Sequence, residues 1–250
     1  MKNIFSSIKN RRKFKIGFYL LLLSGFIFSS CAKERLREDD AIFDGYGDVF
    51  IQKKKVEGEV LYAPFYYLHA NSSMQSANVE TPDGETVELK PYEYLDTYIR
   101  EPVEEEFNSS MIATGTYYFK GSYGDSETFE ITDVFNGANL SFPQIDSSAY
   151  DTTDYYIYVS WKILNGADVY KIKLLNQSGR MVFEGPALTQ ESNVYVFDIN
   201  TDGWTTTPYK GDVFTLQIHA FSLDDDANEN NWFHNIECNA YSETEIVWGG

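Results

Sequence analysis

The sequence predicts an all-β protein built from two tandem antiparallel β-sandwich domains. Short runs rich in Tyr, Phe, Val and Ile alternate with turn-forming clusters at intervals of roughly 8 to 15 residues, a spacing typical of sandwiches. No stretch keeps a helical apolar period over three turns. In several runs every second residue is apolar, as expected for strands that bury one face.

The first predicted domain spans residues 46–138. Residues 58–70 form one candidate strand, which Pro64 should break or confine to a sheet edge because proline lacks a backbone N–H. Thr81-Pro82-Asp83-Gly84 has strong turn chemistry and predicts a hairpin over residues 77–89. A second hairpin is predicted around residues 121–124. The boundary is placed near residue 138, within the linker-like residues 136–139.

The second predicted domain spans residues 139–250 and alternates more regularly. Its predicted inward residues fall into four groups: Ile157, Val159, Trp161 and Ile163; Tyr170, Ile172 and Leu174; Tyr195, Phe197 and Ile199; and Phe214, Leu216, Ile218 and Ala220. His219 is out of phase with the last group, so we expect it to point to solvent. A turn is predicted at residues 176–179, and the last strands are predicted within residues 232–248.

This second half resembles a fibronectin type III domain. The resemblance lies in Trp161, in residues 165–172 and in the alternation of Phe214, Leu216, Ile218 and Ala220. Phe214 stands where that family usually has Tyr, so the hydroxyl of the family's tyrosine corner would be missing. The first half looks immunoglobulin-like by its strand count. The whole resembles small Bacteroidetes surface lipoproteins with tandem sandwich domains, which are often adhesin-like or accessory to glycan uptake.

Residues 1–30 read as a secretory signal peptide. Six basic residues and no acid precede the nearly continuous apolar residues 16–28, which are followed by Ser29, Ser30 and Cys31. The ending resembles the lipobox of bacterial lipoproteins, which makes Cys31 the lipidated first residue of the mature chain. A transmembrane anchor is disfavoured because the apolar run is shorter than the roughly 20 residues that span a bilayer. A non-lipidated secretory peptide would more often end in an Ala-x-Ala-like site. A twin-arginine signal at residues 10–15 is less favoured than an ordinary basic region.

Residues 31–45 are predicted to be the lipidated N-terminus and a polar tether. The late acidic cluster at residues 38–40 resembles surface-export signals of Bacteroidetes lipoproteins. The sequence therefore predicts a lipid-anchored outer-membrane protein on the cell surface, with a periplasm-facing position as the alternative.

Removing the leader makes the protein strongly acidic. The precursor has 20 Lys+Arg and 38 Asp+Glu; loss of the six leader bases leaves 14 against 38, a net charge of −24. Such a surface repels nucleic-acid phosphates and anionic lipid, so neither is an expected partner, and the predicted tie to the membrane is covalent. With Cys31 lipidated, Cys238 has no partner for a disulfide.

One loop has the spacing of a calcium site. Asp224, Asp226, Asn228 and Asn230 supply oxygen ligands at every second position, which resembles the first half of an EF-hand loop. The pattern departs from that loop at Glu229, where Gly is usual, and at Asn235, where a bidentate Glu is usual. A solvated loop without metal is the alternative, and no other cofactor is predicted.

Two loop aromatics are candidates for stacking on sugar rings, Trp204 and Tyr209. Trp204 lies in a turn-rich stretch, which makes it the less core-like of the two; packing in the core is the alternative for such rings. The acidic residues 101–106 are predicted to be a solvated loop.

The sequence predicts no enzyme, since it has three histidines and no nucleophile elbow or zinc-protease motif. The expected function is a non-enzymatic, lipid-anchored envelope protein that acts as an adhesin-like module or scaffold and binds a protein partner. A glycan-binding accessory lipoprotein of a polysaccharide-uptake system is the alternative.

Overall fold

A computed structural model describes residues 43–125, 127–137, 139–225, 227 and 235–250. Phe43–Gly250 form one compact unit. Cys31 and the predicted leader and tether up to residue 42 lie outside the described residues, so those predictions stay predictions. No helix within the described part of the chain is long and apolar enough to cross a membrane.

The described residues form strands and one 3₁₀ turn, Glu104–Glu106, so the predicted all-β class is confirmed. The strands, in chain order, are β1 (Gly45–Val56), β2 (Glu59–Ala70), β3 (Met74–Glu80), β4 (Thr86–Glu88), β5 (Lys90–Tyr92), β6 (Tyr94–Arg100), β7 (Gly115–Tyr123), β8 (Glu127–Phe135), β9 (Gln144–Asp151), β10 (Tyr156–Lys162), β11 (Val169–Leu175), β12 (Met181–Glu184), β13 (Leu188–Thr189), β14 (Val194–Asp198), β15 (Val213–Leu223) and β16 (Ile236–Val247).

Three sheets build the unit. The largest has nine strands in the order β12-β11-β15-β16-β1-β2-β6-β5, with β13 also paired to β11. Two smaller sheets, β4-β3-β7-β8 and β14-β10-β9, contain strands from the first and second halves respectively. Side chains of both smaller sheets pack into one core with one face of the large sheet, which gives two sandwich-like halves.

The two halves share the large sheet through one parallel pair. β1 and β16 run parallel, with Ile51 opposite Cys238 and Lys53 opposite Ala240. This pair departs from the antiparallel expectation, since every other pair of strands among the described residues is antiparallel. The predicted domain boundary near residue 138 stays a prediction. The β1–β16 pair joins the residues before this boundary to those after it.

The alternation in the sequence locates most of the core. The predicted inward residues of β10, β11 and β15 are buried, from Ile157 on β10 to Ala220 on β15. Ile163 and Ile199 are wrong predictions because each follows the end of its strand, where they are 54% and 47% exposed. Both predicted hairpins form, β3–β4 and β7–β8.

Pro64 neither ends β2 nor lies in an edge strand, which corrects the prediction. Backbone hydrogen bonds join Tyr62 to Asn108 in both directions, so the even-numbered residues of β2 direct their N–H groups away from β1. On that side β6 pairs only with Tyr66–His69 of β2. Proline therefore occupies a position between two pairings, where its missing N–H costs no ladder hydrogen bond.

A buried lysine fastens the connection between the halves. Lys53 is 3% exposed, and its Nζ donates to the Leu140 carbonyl at 2.6 Å and to Asn139 Oδ1 at 2.8 Å. The same ammonium lies 5.4 Å from the centre of the Phe142 ring. Burial lowers the pKa of Lys53. Lys53 on β1 thus binds the first residues of the second half, Asn139 and Leu140.

Replacing this lysine should weaken the whole unit. Lys53→Met keeps the length of the side chain but leaves the Leu140 carbonyl without its donor, so we expect the free energy of unfolding to fall by about 1–3 kcal/mol. Lys55→Met, two residues along near the exposed end of β1, is the matched control and should change it little. Urea unfolding of both variants measures the difference, and equal midpoints would contradict this role of Lys53.

Candidate functional site

An acidic cleft lies where the two halves meet. It has a volume of about 610 Å³ and is bordered by the first residues of β1, by β8 and by the facing ends of β15 and β16. Its described lining residues are Gly45, Tyr46, Gly47, Ile131, Thr132, Asp133, Val134, Asn136, Asp224, Asp225, Asn235 and Glu237. Because this lining has four carboxylates and no basic side chain, the cleft concentrates negative potential.

Local structure explains how two of these acids are positioned. Asp133 on β8 reaches across to β1, where its Oδ2 accepts the Val49 N–H at 2.8 Å, and its Oδ1 accepts the Val134 N–H at 2.7 Å. Glu237 is the second residue of β16, and burial, with the charges of Asp225 and Asp168, raises the pKa of its carboxyl. The cleft therefore contains one carboxylate fixed by backbone donors and one that binds protons more readily than usual.

A buried aspartate lies close to the cleft. Asp48 on β1 is 2% exposed, and its Oδ2 accepts the Ile236 N–H at the start of β16 at 3.0 Å. Burial raises the pKa of Asp48 well above its usual range. The Ile236 hydrogen bond opposes that shift, and the charges of Asp133 and Asp224 add to it. A carboxyl group of the first half thereby binds the first residue of β16, the last strand of the second half.

The predicted calcium loop begins at this cleft. Asp224 lies directly after β15, and its N–H donates to the Asn235 carbonyl at 3.1 Å. Asp226, Asn228 and Asn230 lie outside the described residues, so the calcium site stays a prediction. Among the residues that the structure describes, no group of three or more His, Cys, Asp or Glu side chains is arranged to hold a metal.

Trp204 packs into the second half. It forms an isolated β-bridge with Phe183, and its indole N–H donates to the Asp198 carbonyl at 2.9 Å. Its ring centre lies 4.8 Å from that of Phe183 and 5.2 Å from that of Trp248. These contacts correspond to the core alternative for this residue. Stacking of Trp204 on a sugar remains a prediction.

Tyr209 has the opposite environment. It is 73% exposed, and its backbone N–H donates to Asp212 Oδ2 at 2.8 Å, which fixes the loop but leaves the ring in solvent. Only one of the two predicted sugar-stacking rings is therefore presented openly.

Sequence reasoning missed a buried polar group on the other face of the large sheet. His219, Gln217 and Asn239 are 6%, 8% and 3% exposed, so the prediction that His219 points to solvent is wrong. The His219 ring stacks on Tyr241 with centres 4.9 Å apart. A signal was available: β15 has no charged residue in 11 positions, which is typical of strands buried on both faces.

Both ring nitrogens of His219 have hydrogen-bond partners. Nε2 lies 3.1 Å from Gln217 Oε1, and the Gln217 amide nitrogen donates to Glu243 at 3.1 Å. The Gln217 oxygen therefore faces the imidazole and accepts a hydrogen bond from Nε2–H, while Nδ1 lies 3.1 Å from Asn239 Oδ1. Burial lowers the pKa of His219 well below 6.5, and the charges of Lys173 and Lys171 lower it further, while the hydrogen bond to Asn239 Oδ1 opposes the shift.

The acidic residues 101–107, which we call the acidic flap, are mostly exposed, in agreement with the solvated-loop prediction, but ion pairs tie them to the large sheet. Glu104 forms an ion pair with Lys54, whose side chain is 8% exposed, and the Lys54 ammonium lies 4.1 Å from the centre of the Phe107 ring. Glu106 forms a second ion pair with Arg100. These contacts lie on the same face of the large sheet as His219. Lys54 and Gln52 share one side of β1, and Gln52 is opposite Asn239, whose side chain contacts His219.

No family model matches the sequence, and no curated protein matches it closely enough to indicate a relationship. Among solved structures, a two-domain fibronectin type III segment of chicken tenascin is 12% identical, with 80% of this chain and 99% of that chain covered, at a TM-score of 0.27. A BSP domain of a biofilm-associated protein is 14% identical, with 80% and 29% covered, at a TM-score of 0.23. A β-1,2-glucanase from Parabacteroides distasonis is 11% identical, with 82% and 36% covered, at a TM-score of 0.30. This chain spans less than half of the last two, and likenesses this distant carry no argument about function.

The buried histidine predicts a loss of stability in acid. Because the folded pKa of His219 lies below its unfolded value, the unfolded chain binds more protons as the pH falls below about 6.5, and the free energy of unfolding declines by at most about 1.4 kcal/mol per pH unit. His219→Gln cannot titrate and should lose less stability between pH 7 and pH 5 than the unchanged chain.

Comparing the unchanged chain with His219→Gln isolates the effect of His219 from that of Asp48, which is present in both and whose raised pKa acts in the opposite direction. His69→Gln, which removes a half-buried histidine on β2, is the control and should keep the acid-induced loss. If the free energy of unfolding fell equally with pH in the unchanged chain and in His219→Gln, His219 would not be the group responsible for the acid-induced loss.

Proposed function

We propose that this protein is a non-enzymatic, lipid-anchored envelope protein that serves as an adhesin-like or scaffold module at the outer membrane. The observation that carries the proposal is the leader, in which basic residues and the apolar residues 16–28 are followed by Cys31. The compact unit begins at Phe43, which leaves a short polar segment between the proposed anchor and the folded part.

The charge distribution supports a covalent anchor. A chain with a net charge of −24 after the leader is removed is repelled by anionic headgroups, so electrostatic attachment is unfavourable. Acyl chains on one N-terminal cysteine would provide the two or more hydrophobic anchors that stable membrane attachment requires.

The rigid pairing of the two halves supports a scaffold or adhesin-like role. The nine-stranded sheet runs through both halves without a break, so a partner bound at one half is held in a fixed orientation relative to the other. Fixed geometry reduces the conformational freedom that is lost when a partner binds.

Glycan binding is the second candidate, and the exposed ring of Tyr209 favours it. A flat aromatic ring in a polar loop can stack on the apolar face of a sugar. In this alternative the protein delivers polysaccharide to an uptake system.

The anchor is tested by Cys31→Ser in the full chain. We expect loss of acyl labelling and transfer of the protein from the membrane fraction to the soluble fraction, because the thiol that carries the lipid is gone. Cys238→Ala removes the other cysteine and should leave labelling and fractionation unchanged. A Cys31→Ser protein that remains in the membrane fraction would rule out the lipid anchor.

The two candidate functions are separated by a glycan array probed with the unit Phe43–Gly250. The adhesin or scaffold proposal predicts no reproducible glycan binding. Binding that Tyr209→Ala abolishes, and that Tyr94→Ala leaves intact, would favour the glycan alternative; Tyr94 is equally exposed at 72% and serves as the control.

A further inference from the structure

The edge strand β14 (Val194–Asp198) has a run of four residues, Val194 to Phe197, with no charge and no proline, and its one acid is its last residue, Asp198. Three of the other described edge strands, β5, β8 and β9, carry residues that discourage pairing along the strand: Lys90 and Pro91, Glu130 and Asp133, and Asp146. On β12 and β4 the acid is the last residue, as on β14, but the uncharged run before it is shorter, and the uncharged β13 has only two residues.

Backbone groups of β14 point away from its sheet at two positions. The Trp161 N–H donates to the Asn193 carbonyl at 3.0 Å, so odd-numbered residues here direct their polar groups toward β10. Since this direction alternates, the N–H and C=O groups of Val194 and Val196 point to the open side. At Asp198, the next such position, the N–H already donates to Thr201 Oγ1 at 3.0 Å.

The side chains at the same positions are exposed and apolar. Val194 is 42% and Val196 is 47% exposed. Val196 lies opposite Tyr158 on β10, which is 38% exposed, so the apolar surface continues onto the neighbouring strand. An open edge with free backbone groups and exposed β-branched side chains is suited to one kind of partner, another extended strand without charge.

We propose that β14 pairs antiparallel with β14 of a second copy of this chain, about a twofold axis at Tyr195. Val194 of each copy then faces Val196 of the other, and each such pair exchanges two backbone hydrogen bonds. The two three-stranded sheets become one continuous sheet across the dimer. The interface is isologous, because the same segment serves on both sides.

The backbone groups that are free to pair select this register, and it brings no two acids face to face. With Tyr195 on the axis, Asp198 lies opposite Ser192 and Glu191 lies opposite Ile199, so no acid faces an acid although the chain is strongly acidic. With Val196 on the axis instead, Val194 would lie opposite Asp198, whose N–H is already engaged by Thr201. The overall negative charge of two copies still opposes association at long range, so salt should strengthen the dimer.

The association is tested by sedimentation equilibrium of the unit Phe43–Gly250 at protein concentrations from about 1 to 500 µM, in about 0.02 and 0.3 M NaCl. We expect a monomer–dimer equilibrium that is tighter at the higher salt. Val196→Lys should weaken association by about tenfold or more, because it places like charges at the centre of the pairing.

Val134→Lys is the matched control: it makes the same change at a residue 51% exposed on the edge strand β8 and should leave the association constant unchanged. Circular dichroism confirms that both variants are folded. A monomer throughout the concentration range, or equal weakening by both variants, would overturn the proposal.

Cross-linking tests the register independently. Residues of a hydrogen-bonded antiparallel pair have Cα atoms about 5.5 Å apart, within the range that a disulfide spans. A mixture of Val194→Cys and Val196→Cys chains should therefore form a disulfide-linked dimer faster than either variant alone. Faster cross-linking of Val196→Cys alone would place the axis at Val196 and contradict the register proposed.

Discussion

The parallel pairing of β1 with β16 is the interaction on which the rest of the structure depends. It joins a strand near the start of the described chain to the last strand, and it makes one sheet from what would otherwise be two. Ile51, Cys238 and Ala240 are completely buried along it. Asp48 and Lys53, both buried residues of β1, add hydrogen bonds to the second half: Asp48 accepts the Ile236 N–H, and Lys53 donates to the Leu140 carbonyl. Each joins the first half to a backbone group of the second, so both are costly to remove.

This pairing also determines the chemistry of the surface. The acidic cleft exists because β1 and β8 of the first half meet the ends of β15 and β16 at one edge of the pairing. The smaller sheets cover one face of the large sheet, while the acidic flap contributes to burial of the other face through Lys54. Cys238 is enclosed in the same region, where burial raises the pKa of its thiol to about 11 and leaves it a small apolar side chain rather than a nucleophile.

Local features of the sequence could be predicted because they depend on neighbouring residues. Alternation located β10, β11 and β15, and the Thr81-Pro82-Asp83-Gly84 turn located the β3–β4 hairpin. The β1–β16 pair could not be predicted, since it joins segments almost 190 residues apart and no local pattern encodes such a contact. The environment of His219 was misjudged for a related reason. Its strand phase was read correctly, but packing against Tyr241 of another strand decides its burial.

Because the two sandwich-like halves share a sheet, they should unfold as one cooperative unit. Differential scanning calorimetry of Phe43–Gly250 tests it most directly. We expect a single transition in which the calorimetric and van't Hoff enthalpies of unfolding agree, because separating β1 from β16 exposes the core of both halves. Two resolved transitions, or a van't Hoff enthalpy near half the calorimetric value, would show that the halves unfold independently and would contradict it.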